Sequence, residues 1–151
     1  MLCRNIFVRR QILNRLLIDL SWASSHLEGN TYTYLDTQRL FESGQGVQGR
    51  LHKETQMIMN HKAAIEMLVE NLDEVGFNKF TLMNLHGTLS ENLISNKKDQ
   101  GTLRHHPVGI AHSGYQPIDS VHEIEEHLCM VLDKLAQIEE PFEQSFFAMV
   151  H

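Results

Sequence analysis

Apolar residues recur at helical spacing along most of the chain, and the pattern predicts five or six helices with one strand-like interruption. From about residue 6 to 28, Leu13, Leu16, Leu17, Leu20, Ser24 and Leu27 share one stripe, and Gly29 supplies the usual residue past a helix end. A second helix is predicted over 34–43, with Thr33 as N-cap, Asp36 in the first turn and Gly44 beyond the last. The glycine-rich "GQGVQGR" comes next and reads as a flexible connector, since it lacks the GKS/T ending of a phosphate-binding P-loop. A third helix is expected over about 53–72, carrying Ile58, Ile65, Leu68, Val69 and Leu72, and a fourth over about 81–94, carrying Leu82, Leu85, Leu89 and Leu93. In "TLRHHPVGIAHSGYQP" Val108 and Ile110 alternate and "HSG" supplies a turn, which predicts a β-hairpin at about 102–116. Ser120 with Glu123 has the form of a capping box and opens a fifth helix with Val121, Ile124, Leu128, Val131, Leu132 and Leu135. Pro141 opens a sixth, in which Phe146 and Phe147 read as core.

A chain of 151 residues with 42 % hydrophobic and 21 % charged content suits one compact globular domain. The net charge of −6 argues against a general nucleic-acid binder. Cys3 and Cys129 fit no disulfide framework, which points to a reducing, cytoplasmic setting. The opening "MLCRNIFVRRQ" lacks the apolar run of a signal peptide, and no segment approaches the roughly 20 apolar residues that cross a bilayer.

Glu28 is the oddest residue in this pattern. It occupies the last position before a helix-stopping glycine, where the partial negative charge of the helix end disfavours a carboxylate by roughly 0.3–1 kcal/mol. At helical spacing it lies within about 40° of Ser24 and in line with Leu13, Leu17 and Leu20, so it either continues a buried stripe or frays into solvent. A buried carboxylate needs a partner, and arginine is the best one because its fork binds both oxygens.

Other chemistry is thin. The ten histidines form no recognisable metal set: His105 and His106 are adjacent, and His122 and His127 are poorly aligned on one helix. His61 and His86 fall on or beside apolar stripes and read as hydrogen-bonded core histidines. Ser24 and Ser25 lack the GxSxG setting of a nucleophile.

"SSHLEGNTYT" resembles the inhibitory motif of Fic-domain proteins, (S/T)xxxE(G/N), with Ser24, Glu28 and Gly29 at its defined positions and Asn30 directly after. "GRLHKETQMIMNHKAAIEML" is similar to the Fic helix that comes after that motif. "FTLMNLHGTLSENLI" with "GTLRHHPVGIAHSGYQP" resembles the next helix and the β-hairpin flap, including a G-x-x-R step at Gly101 and Arg104. "PFEQSFFAMVH" looks like the helix leading to the family's active-site loop. The resemblance covers almost the whole chain in order.

It implies a mainly α, Fic-like bundle. Its parts would be an inhibitory helix and motif at 6–30, scaffold helices over 34–96, a flap at 102–116 and helices over 120–151 that lead to the active-site loop. Fic proteins typically transfer AMP from ATP, with magnesium, to a hydroxyl side chain of a target protein. Their signature, HPFx(D/E)GNGR with a second arginine nearby, is absent from the sequence; His151 is not its histidine. No catalytic residue or metal ligand is therefore expected within the 151 residues, and the chain alone is expected to be inactive.

The resemblance implies that Glu28 pairs with the signature's second arginine and blocks the γ-phosphate position, with Ser24 helping to orient it. It also implies that Val108, Gly109, Ile110 and Ala111 hold a target segment by strand addition, with Gly101 and Arg104 at the base of the flap. Partners would be a target protein and other copies of the chain, without membrane or nucleic-acid contact. A second reading is a non-catalytic Fic-like module that binds a partner and donates Glu28 in trans.

Overall fold

The computed structural model describes the backbone of residues 2–151 and the side chains of residues 12–151. Among these residues it contains six α-helices and one short 3-10 turn: α1 (Leu2–Leu27), α2 (Tyr34–Ser43), α3 (His52–Glu70), α4 (Lys79–Ser90), α5 (Val121–Ala136) and α6 (Pro141–Val150). The mainly helical architecture matches the periodicity. The chain divides into two compact units, residues 1–74 with 88–95 and residues 75–87 with 96–151.

In the first unit, α1 packs on α2 and α3. The α2 boundaries are set by local chemistry. Thr33 accepts the Asp36 amide, the Asp36 carboxylate accepts the Thr33 amide, and Gly44 closes the helix in the left-handed region at φ 69°. Tyr32, Leu40 and Ile58 form the core, with Phe41 and Val47 packed against them. The end of α4 is tied to α3 by Asn60, whose amide donates to the carbonyls of Leu89 (3.0 Å) and Glu91 (2.8 Å). Asn60 and Ile58 are both buried, so the middle of α3 is fixed by packing and by satisfied polar bonds together.

The buried row of α1 differs from the expected stripe. Leu17, Ser21 and Ser25 are buried, whereas Leu16, Leu20 and Leu27 are exposed. The sequence carries two leucine rows on this helix, and periodicity alone merges them. Serines suit the inward row because α1 and α3 can approach closely over small side chains. The Ser21 and Ser25 hydroxyls are buried and find no hydrogen-bond partner among the described residues.

In the second unit α5 packs on α6, and Gln144 donates to the Leu135 carbonyl at 2.9 Å. Ser120 caps α5 by accepting the Glu123 amide, as its position suggests. The β-hairpin expected at 102–116 is a correction: no strand occurs among the described residues, and Val108, Gly109, Ile110 and Ala111 lie exposed in irregular chain. A turn does form, with the Ser113 amide on the Ile110 carbonyl and His112 in the left-handed region at φ 62°. The ladder fails for physical reasons. Pro107 lacks a donor, Gly109 and Gly114 weaken extended pairing, and an isolated two-stranded ribbon is marginal in water.

The base of this loop is nevertheless tied, since the Arg104 guanidinium donates to the Ile118 carbonyl. Gly101 is required where it stands. It sits at φ 64°, and a Cβ there would lie 3.0 Å from the Met83 carbonyl oxygen.

Phe146 and Phe147 are not core, which corrects the sequence reading. Phe142, Phe146, Met149 and Val150 are exposed on α6, and Phe147 is half-buried, stacked on the His151 ring at 4.1 Å. The spacing of Phe142, Phe146 and Met149 makes one apolar stripe facing solvent. Light scattering is expected to show concentration-dependent self-association of the 151-residue chain, reduced by Phe146→Glu. A monomer at every concentration would contradict this.

Candidate functional site

The segment that ends α1 is built as a rigid turn. The Glu28 amide bonds the carbonyls of Ser24 (3.3 Å) and Ser25 (3.1 Å), and the Asn30 amide reaches back to Ser25 at 3.0 Å. Gly29 makes this wrap at φ 88°, a conformation that costs glycine little. The backbone of this turn is therefore hydrogen-bonded, and Glu28 stands just past Leu27, the last helical residue. The buried alternative fails: the Glu28 side chain is 54 % exposed, so it stands toward solvent and does not continue the inward row.

One carboxylate oxygen of Glu28 lies 3.2 Å from Nε2 of His61 on α3. His61 is only 12 % exposed at its side chain, so it forms a wall against which the carboxylate rests. This partner was not legible in the sequence, because a contact between two helices has no spacing signature. The Ser24 hydroxyl makes no hydrogen bond to Glu28 among the described residues; Ser24 contributes its backbone carbonyl.

Asn30 anchors the segment after the turn. It is 4 % exposed, its amide donates to the Glu54 carbonyl on α3 at 2.7 Å, and its oxygen accepts the Tyr32 amide at 2.9 Å. The next residues are clasped from the same helix and from the turn before it. Glu54 accepts the Thr31 hydroxyl (2.6 Å) and amide (2.9 Å) with one oxygen and the Leu51 amide (3.1 Å) with the other. Arg50 donates to the Thr31 hydroxyl at 2.6 Å and reaches Asp36 at 3.5 Å, with its guanidinium over the Tyr32 ring. The Tyr32 hydroxyl bonds Thr55 at 2.6 Å and accepts the Val47 amide at 3.1 Å, which secures the glycine-rich connector. Trp22 closes the group by donating to the Tyr32 carbonyl at 3.1 Å. The arrangement holds a carboxylate, Glu28, at a fixed place on an ordered turn while leaving it accessible.

The clasp has an acid limit. Hydrogen bonds from the Thr31 hydroxyl and amide, and then from the Leu51 amide, hold the Glu54 carboxyl below its ordinary value of 4.5. Those from the Thr33 hydroxyl and amide, with Arg50, hold Asp36 below 3.8. A depressed folded value means that the stabilisation is present above the unfolded value and is lost as pH falls through the folded one. Unfolding midpoints followed by Trp22 fluorescence should therefore be steady near neutrality and fall below about pH 4.5. Glu54→Gln should lower the neutral midpoint and flatten that acid-side fall. Parallel acid profiles in the two proteins would contradict the role of Glu54.

Among the described residues no three His, Cys, Asp or Glu groups converge as metal ligands. A surface recess of about 470 Å³ is lined by His52, Lys53, Gln56, Asn92 and Leu93. None of these is among the candidate site residues read from the sequence. Cys129 is a free, exposed thiol, and Cys3 lies outside the described side chains. Among the described residues no helix is long and apolar enough to cross a membrane. No protein-family model matches the chain, and no curated protein is significantly similar to it.

Proposed function

We propose that the chain is the inhibitory and scaffold portion of a Fic-type protein adenylyltransferase, whose activity is AMP transfer from ATP, with magnesium, to hydroxyl side chains of a target protein. The observation that carries this reading is Glu28: an exposed carboxylate on a turn made rigid by Gly29 and Asn30 at the end of a long helix. A side chain presented in this way suits pairing with an incoming cation. In this reading that cation is an arginine outside the 151 residues, in the same chain or another, and Glu28 competes with the γ-phosphate for it. The order of helices and the G-x-x-R step at Gly101 and Arg104 accord with the same family. Target binding through Val108 to Ala111 would then require the loop to become extended on contact with a strand.

Catalysis needs positioned groups that stabilise phosphoryl charge, and in this reading those groups belong to the HPFx(D/E)GNGR signature, which the sequence lacks. The 151-residue protein, incubated with α-labelled ATP, magnesium and a cell extract, should transfer no label beyond background. Chain-dependent labelling would overturn the assignment of the active site to another segment.

The exposed apolar stripe of α6 favours a second reading, a non-catalytic module that docks on a partner and donates Glu28 in trans. The two separate on one observation. Inhibition of a signature-bearing Fic enzyme by added chain, lost in Glu28→Gly, supports donation in trans.

A further inference from the structure

We propose that His61 is a positioning residue for Glu28, holding the carboxylate ready for the cation it is to meet; the inference rests on the reading of Glu28 as a plug. A glutamate at the exposed end of a helix has three rotatable bonds, and ordering them on binding weakens any ion pair it makes. Here a neighbour stands against one edge of the carboxylate. Nε2 of His61 stands 3.2 Å from one Glu28 oxygen, a close polar contact without the alignment of a full hydrogen bond, and the other oxygen has no hydrogen-bond partner among the described residues. The ring is largely buried, at 12 % exposure, and His61 sits on a stretch of α3 that its neighbours fix from both sides. Asn60 is buried and bonded to two carbonyls, and Ala64 is buried one turn on.

The charge next to His61 in sequence is already engaged. On α3, Lys62 is paired with Glu66 at 2.7 Å, and from α1 the acidic group that meets the ring is Glu28. The carboxylate thus rests against the ring by one edge with its other edge presented. An arginine arriving at that edge finds a side chain already in place.

Side-chain scalar couplings of Glu28, measured by NMR in the 151-residue chain, test the positioning directly. A single rotamer is expected in the wild type and in His61→Gln, which keeps a polar donor, and averaged couplings in His61→Phe. Thermal melts of both variants confirm that the fold is kept. Averaged couplings in the wild type, or a single rotamer in His61→Phe, would overturn the proposal.

A second arm reads nucleotide affinity in a protein where the chain is joined to a signature-bearing segment. His61→Phe should raise affinity roughly two- to tenfold, the effect of unfastening one flexible side chain. It should add nothing on top of Glu28→Gly, whereas a merely structural role would add its effect in both backgrounds. If Glu28→Gly raises affinity and His61→Phe does not, the role of His61 is overturned and the plug stands. If Glu28→Gly itself changes nothing, the plug reading falls and this inference falls with it.

Discussion

Asn30→Ala is expected to lower the unfolding midpoint of the chain by roughly 5–15 °C, a loss of about 2–4 kcal/mol. The side chain is 4 % exposed and makes two bonds at once, one to the Glu54 carbonyl and one from the Tyr32 amide. Alanine keeps the turn sterically possible but strands the Tyr32 amide in a buried place, and a buried donor without a partner costs more than the bond itself was worth. The damage should spread, because Tyr32 belongs to the core with Leu40 and Ile58 and also receives the Trp22 indole bond. Asn30→Asp separates the two bonds: it keeps the acceptor for Tyr32 and loses the donor to Glu54, so its midpoint should fall between the others. Circular dichroism melts of the three proteins check this. A midpoint for Asn30→Ala within 1–2 °C of the wild type, about the shift that a few tenths of a kcal/mol produce, would show that the turn after Glu28 is not held by Asn30.

What the sequence made legible was local. The limits of α2 are set by Thr33, Asp36 and Gly44, each acting within a turn of its own position, and the structure places all three as read. The cap at Ser120 and the start of α6 at Pro141 belong to the same class. The end of α1 was legible for the same reason, since Gly29 is a local stop. What Glu28 touches was not, because it depends on how α1 lies on α3, and that packing brings in His61 from far downstream.

The burial of α1 was misread because Leu16, Leu20 and Leu27 form a second apolar row, and a leucine-based stripe cannot say which row faces inward. Ser21 and Ser25, the residues that mark the inward row, looked polar. The hairpin was inferred from two alternating residues, Val108 and Ile110, and Pro107 with Gly109 and Gly114 outweighed them. Asn30 was marked as part of the inhibitory motif, but its work as an anchor became visible only with Glu54 and Tyr32 beside it.

The second large effect is a gain of function. In a protein where this chain is joined to a segment carrying HPFx(D/E)GNGR, Glu28→Gly should raise both nucleotide affinity and AMP transfer. The carboxylate would both occupy the γ-phosphate position and neutralise the arginine meant to bind it, so its removal restores space and charge together. Hydrogen bonds to charged groups are worth about 1.5–3 kcal/mol, which corresponds to roughly 10- to 100-fold in affinity. The substitution is structurally mild. Glu28 lies just past the last residue of α1, in a turn whose bonds are made by backbone groups, and a carboxylate there is electrostatically disfavoured anyway. The sign of the change is diagnostic: loss of a catalytic acid lowers activity, and loss of an idle surface residue leaves it alone.

Isothermal calorimetry of ATP binding to that joined protein, with and without Glu28→Gly, tests the role of Glu28 as a plug without any intermediate step. Binding roughly 10- to 100-fold tighter is expected in the glycine variant. Equal affinities in the two proteins, with the signature intact, would contradict it.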